Sequence, residues 1–218
     1  MDGMFEQVSV LGASGVLLCA IIMLWRRGLP AYISAFRWQS NVLAALTAAV
    51  AYFGSDRDLY WVAALMFAIK GVAIPRLLTR LSRRVTATHE AEPFVNTATS
   101  LVLSGLLVLL AYAAARPLQE LATLPTRAGI PLALGLMFVS LFVIVSRKRA
   151  ITQVIGFLML ENAIALLAVL ATYGVPLVVE LGVFLDALMG FLVMQIFLYD
   201  IHDTFNTLDV DVLSRLKH

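Results

Sequence analysis

Three side chains in this sequence carry charge among residues that are otherwise apolar: Lys70, Glu161 and Asp186. Lys70 sits within Leu-Met-Phe-Ala-Ile-Lys-Gly-Val-Ala-Ile, Glu161 within Ile-Gly-Phe-Leu-Met-Leu-Glu-Asn-Ala-Ile, and Asp186 within Gly-Val-Phe-Leu-Asp-Ala-Leu-Met-Gly. An ionisable group at the centre of a bilayer costs about 2.5–3.5 kcal/mol on insertion scales, so each such residue is a functional hypothesis by default. Two carboxyls and an amine are the groups needed to load, pass on and release protons or to escort a small cation. In low dielectric an isolated carboxyl favours keeping its proton, which brings loading and release toward neutral pH. Asn162, Gln39 and Gln195 add hydrogen-bonding groups to the same apolar surroundings. Each charge also has a plain reading: a permanently protonated acid can lock helices together, and Lys70 can run its long stem to the interface.

The elements that must position these groups follow from hydropathy. Of 218 residues, 61% are hydrophobic and 14% charged, against about half and a quarter in soluble domains. The excess falls in runs of about 20 residues, enough to cross roughly 30 Å of hydrocarbon as a helix. Runs such as 100–115 lack the two-residue alternation of a barrel strand, which leaves an all-α polytopic bundle. Spans are expected near 5–25, 30–53, 59–79, 94–115, 128–146, 150–172 and 176–199. Gly28 and Pro30, the run Gly54 to Asp58, Arg116-Pro117, Pro131 and Tyr173 to Pro176 punctuate them.

Basic residues set an expected direction. Segments after the first, third, fifth and seventh spans hold Arg26, Arg27, Arg37, Arg76, Arg80, Arg83, Arg84, Arg147, Lys148, Arg149, Arg215 and Lys217, whereas the other side holds only Arg57, Arg116 and Arg127. The positive-inside rule then places the N-terminus outside and the C-terminus in the cytoplasm. Nothing reads as a cleavable signal, because Asp2 and Glu6 precede the first apolar run. Cys19 is the single cysteine, so no intrachain disulfide is possible.

On this layout Glu161 and Asp186 both arrive roughly 15 Å deep on an antiparallel hairpin, where they could face each other. Lys70 is expected beside a kink, since Pro75 lacks the amide that would bond the carbonyl of Gly71. Gln39, Ser40 and Asn41 fall at a comparable depth, so a polar cavity between spans two and three is expected.

The remaining chemistry is sparse. His89, His202 and His218 lack metal-ligand spacing, and there is no Cys-x-x-Cys, phosphate loop or nucleophile elbow. No cofactor, metal site or catalytic centre of its own is therefore expected, and a net charge of +2 spread among loops is no nucleic-acid signature.

The stretch Arg147-Lys-Arg-Ala-Ile-Thr-Gln-Val-Ile-Gly-Phe-Leu-Met-Leu-Glu-Asn-Ala-Ile164 resembles the second helix of the NuoK-type subunit of respiratory complex I. Asp186-Ala-Leu-Met-Gly190 looks like that family's third helix, with aspartate in place of glutamate. Glu161 lies about one turn from the position usual there. Over nearly the whole chain the closer resemblance is to the hydrogenase-4 component E (HyfE-type) family, carried by Gln-Val-Ile-Gly-Phe with Leu-Glu-Asn, Trp38-Gln39-Ser40, and Lys70-Gly71 with Pro75.

The resemblance implies three parts: four N-terminal helices over 1–127, a NuoK-like three-helix unit over 128–200, and a cytoplasmic tail over 201–218. It implies a multi-pass subunit of a bacterial or archaeal cytoplasmic membrane, in the membrane arm of a group 4 hydrogenase or formate hydrogenlyase-like assembly. Expected partners are antiporter-like membrane subunits, a quinone-site or hydrogenase-anchor membrane subunit, and cytoplasmic iron–sulfur and hydrogenase-like subunits. Glu161 and Asp186 would then belong to a hydrophilic axis that moves protons or sodium ions. Two alternatives stand beside this: a structural linker without a proton relay, and a subunit of a multisubunit cation/proton antiporter.

Overall fold

Two short breaks shape the first half of the chain. Gly28, at φ 106°, turns the backbone, and Pro30 supplies a preset helical φ in the first turn of the next helix. At the far end Ser55 takes the left-handed conformation with φ 53°, and its amide bonds the Ala51 carbonyl. Asp56 then caps the following helix by accepting from the amide of Asp58 at 2.9 Å. The run Gly54 to Asp58, expected as a loop, therefore contains only two non-helical residues. One C-cap and one N-cap stand back to back.

The computed structural model describes residues 2–26, 28–84, 96–121, 125–147 and 150–172, with positions 182 and 190 as isolated points. Its helices are α1 (Asp2–Trp25), α2 (Leu29–Gly54), α3 (Arg57–Met66), α4 (Ile74–Arg84), α5 (Thr97–Leu121), α6 (Ile130–Ser146) and α7 (Ala150–Thr172). A π-helical segment, Phe67–Ala73, joins α3 to α4 without a break, and a 3₁₀ turn, Pro125–Gly129, precedes α6. There is no strand among the described residues. The span expected over 176–199, with Asp186 and Gln195, and the tail over 201–218 lie outside the described residues.

Among the described residues, five stretches are long and apolar enough to cross a membrane: Gly3–Trp25, Arg57–Arg80, Thr97–Glu120, Thr126–Ser146 and Ile151–Ala171. Together they make this a multi-pass helical membrane protein. α2 is not among them, although its 26 residues reach about 39 Å. The run Arg37-Trp-Gln-Ser-Asn41 dilutes its apolar character.

The packing explains how such a helix is accommodated. α2 lies against α1, α3, the π segment, α4 and α7, so neighbours cover much of its surface. Phe36, Leu43 and Val50 of α2 are fully buried, as are Val16 of α1 and Leu166 of α7. The large apolar side chains left exposed, such as Leu11, Leu18, Val102, Leu109 and Val145, lie on outer helix faces, as lipid requires. Trp25 at the end of α1 and Trp61 near the start of α3 are exposed where an interfacial aromatic belt would lie.

α6 packs along both α5 and α7. Gly156 allows the α6–α7 approach: a Cβ there would meet Val143 at 2.9 Å and the Ile144 backbone nitrogen at 3.2 Å. Thr126 in the 3₁₀ turn donates its hydroxyl to the Leu170 carbonyl and ties the start of α6 to the end of α7.

Two boundaries differ from the expectation. α5 runs through Pro117 to Leu121 rather than stopping near 115. Proline removes one late hydrogen bond there, but Arg116 and Leu118 are exposed, and Gln119 donates to the Arg127 carbonyl at 3.3 Å. The third span continues as helix to Arg84, which moves Lys70 deeper into it than a span ending at 79 would.

Candidate functional site in the α2–π segment–α7 cluster

Lys70 and Glu161 come from helices far apart in sequence and meet inside the bundle. Lys70 Nζ lies 3.2 Å from Glu161 Oε1, and each side chain is only 3% exposed. Glu161 falls at the centre of Ile151–Ala171 and Lys70 near the centre of Arg57–Arg80. The pair therefore stands far from both helix ends. At that position Lys70 points to a carboxylate and not toward the interface.

Local structure sets the lysine's direction. Phe67–Ala73 is π-helical, and the amide of Ile74 bonds the carbonyl of Ile69, five residues back. A π turn holds more residues than an α turn and shifts the phase of the side chains it carries. In this register the amide missing at Pro75 would have faced the carbonyl of Lys70, whereas an α register, as expected from sequence, assigns it to Gly71. The expected distortion beside the lysine is present, as a change of helix type that Pro75 terminates.

α2 supplies the third wall. Asn162, next to Glu161 on α7, donates from Nδ2 to Gln39 Oε1 at 3.1 Å and to Ser40 Oγ at 3.0 Å. Gln39 in turn donates to the Val16 carbonyl of α1 at 3.3 Å. Asn41 leans over the π segment so closely that a Cβ on Gly71 would collide with its Oδ1. Glycine at 71 is what lets Asn41 approach the turn that bears Lys70. Asn41 Oδ1 and Asn162 Oδ1 are buried acceptors with no hydrogen-bond partner among the described residues. Buried oxygens of this kind are where proteins hold internal water.

Two expected groupings are thus merged into one. The sequence groups Lys70 with Gln39, Ser40 and Asn41, and Glu161 with Asn162; the fold joins them in a single polar layer across α2, the π segment and α7. The expected pairing of Glu161 with Asp186 lies outside the described residues. Buried charges are costly unless compensated, and Lys70 and Glu161 compensate each other here.

Arg147 is a surprise of the same kind. Counted in sequence as one more loop cation, it is 2% exposed, with its guanidinium 5.3 Å from the centre of the Tyr32 ring. Burial pulls its pKa below the usual arginine value, while Tyr32 acts in the opposite direction. Nothing in the basic run Arg147-Lys148-Arg149 distinguishes the buried member. Its partner on α2 is visible only in the fold.

Over 206 residues the chain is 36% identical to the uncharacterized protein Rv0085 of Mycobacterium tuberculosis, covering 94% of each. It is 28% identical over 180 residues to hydrogenase-4 component E of Escherichia coli K12, spanning 82% of this chain and 83% of that protein. Hydrogenase-4 component E of Shigella flexneri matches to the same extent. No family model matches the chain, and no solved structure does.

Proposed function

We propose, from its similarity to hydrogenase-4 component E over most of its length, that the chain is a membrane subunit of a hydrogenase-related complex and helps couple redox energy to proton or sodium movement. The observation that carries this reading is the ion pair of Lys70 and Glu161, buried in mid-bundle. A structural role alone seldom justifies placing two opposite charges there, since a hydrophobic pair of similar volume is commonly as stable.

In this reading Glu161 is the group that gains and loses a proton. When it is charged, Lys70 is held against it; when a proton arrives, that attraction is lost and the ammonium is released toward other acceptors. Asn41 and Asn162 flank the pair with carbonyl oxygens that can hold water along the route. Asp186, in the span expected over 176–199, would continue the route. In the same reading the basic termini of the spans face the cytoplasm, and the unit expected over 128–200 contributes the two acids. Antiporter-like and hydrogenase-anchor membrane subunits on either side would supply and receive the ion, and iron–sulfur and hydrogenase-like subunits the redox energy.

The test uses the assembled complex in sealed vesicles. Glu161→Gln, Lys70→Met and Asp186→Asn are each expected to leave electron transfer running while ion uptake per electron falls. Intact coupling in all three, at normal assembly, sinks the relay. A second reading, that the chain is chiefly a linker between neighbouring subunits, draws on the double hydrogen bond from Asn162 to α2. It expects the same variants to lower the amount of complex without changing the coupling of what assembles.

A further inference from the structure

Away from the ion pair, the start of α2 and the end of the third span enclose a cavity of about 690 Å³. Arg37 of α2 and Arg76 and Arg80 of α4 all line it. Arg76 and Arg80 stand four residues apart on one helix, where like charges repel, and none of the three pairs with a carboxylate among the described residues. Among the described residues no acidic side chain lines the cavity. Three arginines lining one hollow, with no acidic side chain among the described residues of its wall, make a site for a multivalent oxyanion, since their planar donors match phosphate geometry.

The rest of the wall says what kind of oxyanion. Ile33, Val72 and Pro75 line the same hollow. Val72 and Pro75 lie within the apolar stretch Arg57–Arg80, while Arg80 is its last residue. The cavity therefore straddles the boundary between hydrocarbon and headgroups, with apolar and cationic walls together. A free phosphate has no use for the apolar part, whereas a phospholipid fits both.

We propose that the cavity between the start of α2 and α4 binds an anionic phospholipid, with its phosphate among Arg37, Arg76 and Arg80. The lipid's acyl chains lie against the Ile33, Val72 and Pro75 side. The bound lipid cancels the repulsion between the arginines and fixes the approach of α4 to α2, on which the π segment next in the chain depends.

Native mass spectrometry of the full chain in mild detergent tests this, using phosphatidylglycerol and phosphatidylcholine of identical acyl composition as probes. Phosphatidylglycerol is expected to be retained in preference, and Arg76→Gln with Arg80→Gln to weaken its binding about thirtyfold without changing phosphatidylcholine. Should that variant fail to accumulate, Arg37→Gln alone, on the other helix, is expected to weaken it about fivefold. Equal retention of the two lipids, or no change in any arginine variant, overturns the proposal. So does inorganic phosphate that displaces the lipid at equal concentration, because the apolar wall then plays no part. A photo-crosslinker replacing Ile33 in the assembled complex decides between occupants: capture of lipid supports the site, and capture of a protein chain overturns it.

Discussion

Lys70 Nζ lies 3.2 Å from Glu161 Oε1, and this contact stitches the π segment to α7 across the middle of the bundle. Removing one partner strands a buried charge, which costs about 3–5 kcal/mol, whereas removing both can be nearly neutral. Glu161→Gln is therefore expected to lower thermal stability in mild detergent markedly, and Lys70→Met with Glu161→Gln to recover most of the loss. The double variant also separates structure from function: it is expected to assemble well and still fail to couple ion movement. Recovery of coupling together with stability argues for a purely structural pair.

Asn162 holds the amide edge of this layer to α2. Asn162→Ala removes two buried hydrogen bonds and leaves Gln39 Oε1 and Ser40 Oγ without their donor. A cost of about 1–3 kcal/mol is expected for each acceptor left unmade, less whatever water recovers. Denaturant titration of the full chain reads it. A change within error shows that Gln39 and Ser40 find other donors.

Gly71 and Gly156 are both close-approach glycines, yet they should differ in how they tolerate alanine. At Gly71 the obstacle is Asn41 Oδ1, the tip of a rotatable side chain, so Gly71→Ala is expected to cost about 1–2 kcal/mol. Asn41→Ala should relieve most of that cost. At Gly156 a new methyl group meets Val143, Ile144 and the Ile144 backbone nitrogen, and α6 itself must move. Gly156→Ala is therefore expected to be the more damaging, at about 2–3 kcal/mol, with no single rescuing partner. Thermal unfolding of the two single variants and of the Asn41 double variant checks the ranking.

Arg147 carries opposing effects: loss of solvent on burial, and the attraction of its guanidinium to the Tyr32 ring. A cation over a desolvated ring gains about 2 kcal/mol, comparable with the cost of leaving its buried Nε without a hydrogen-bond partner among the described residues. Arg147→Met, which keeps the volume, is expected to shift stability by less than about 1 kcal/mol. Tyr32→Leu, which keeps the buried cation and removes its ring, should cost more. Equal losses in both variants leave the ring with no role in holding the arginine.

Much of the scaffold was legible because lipid leaves few solutions. Runs of about 20 apolar residues broken by Gly28-Leu-Pro30 or Arg147-Lys-Arg149 read directly as helices, and six of the seven expected segments are helical here. Lys70 and Glu161 stood out for the same reason: a charge amid Leu, Ile and Phe is conspicuous. That they meet each other was not legible, because hydropathy gives a residue's depth and says nothing of its bearing around the helix. The π register that turns Lys70 toward α7 leaves no periodic trace, and Pro75 alone suggested only a kink. Likewise Arg147 and its neighbours Lys148 and Arg149 are alike in one dimension. Burial under Tyr32 distinguishes Arg147 only after α2 has been placed beside the end of α6.

The enclosure of α2 has a consequence for how the molecule is made. A helix interrupted by Arg37, Gln39, Ser40 and Asn41 gains little by leaving the insertion machinery alone for the lipid phase. Arg37 stays exposed at the cavity beside α4, but Gln39, Ser40 and Asn41 become favourable in the membrane only under the cover of α1, the π segment and α7. The last of these is synthesised more than a hundred residues later. A chain truncated before α7 would therefore leave the amides of α2 and the ammonium of Lys70 without the partners that α7 brings, Asn162 and Glu161.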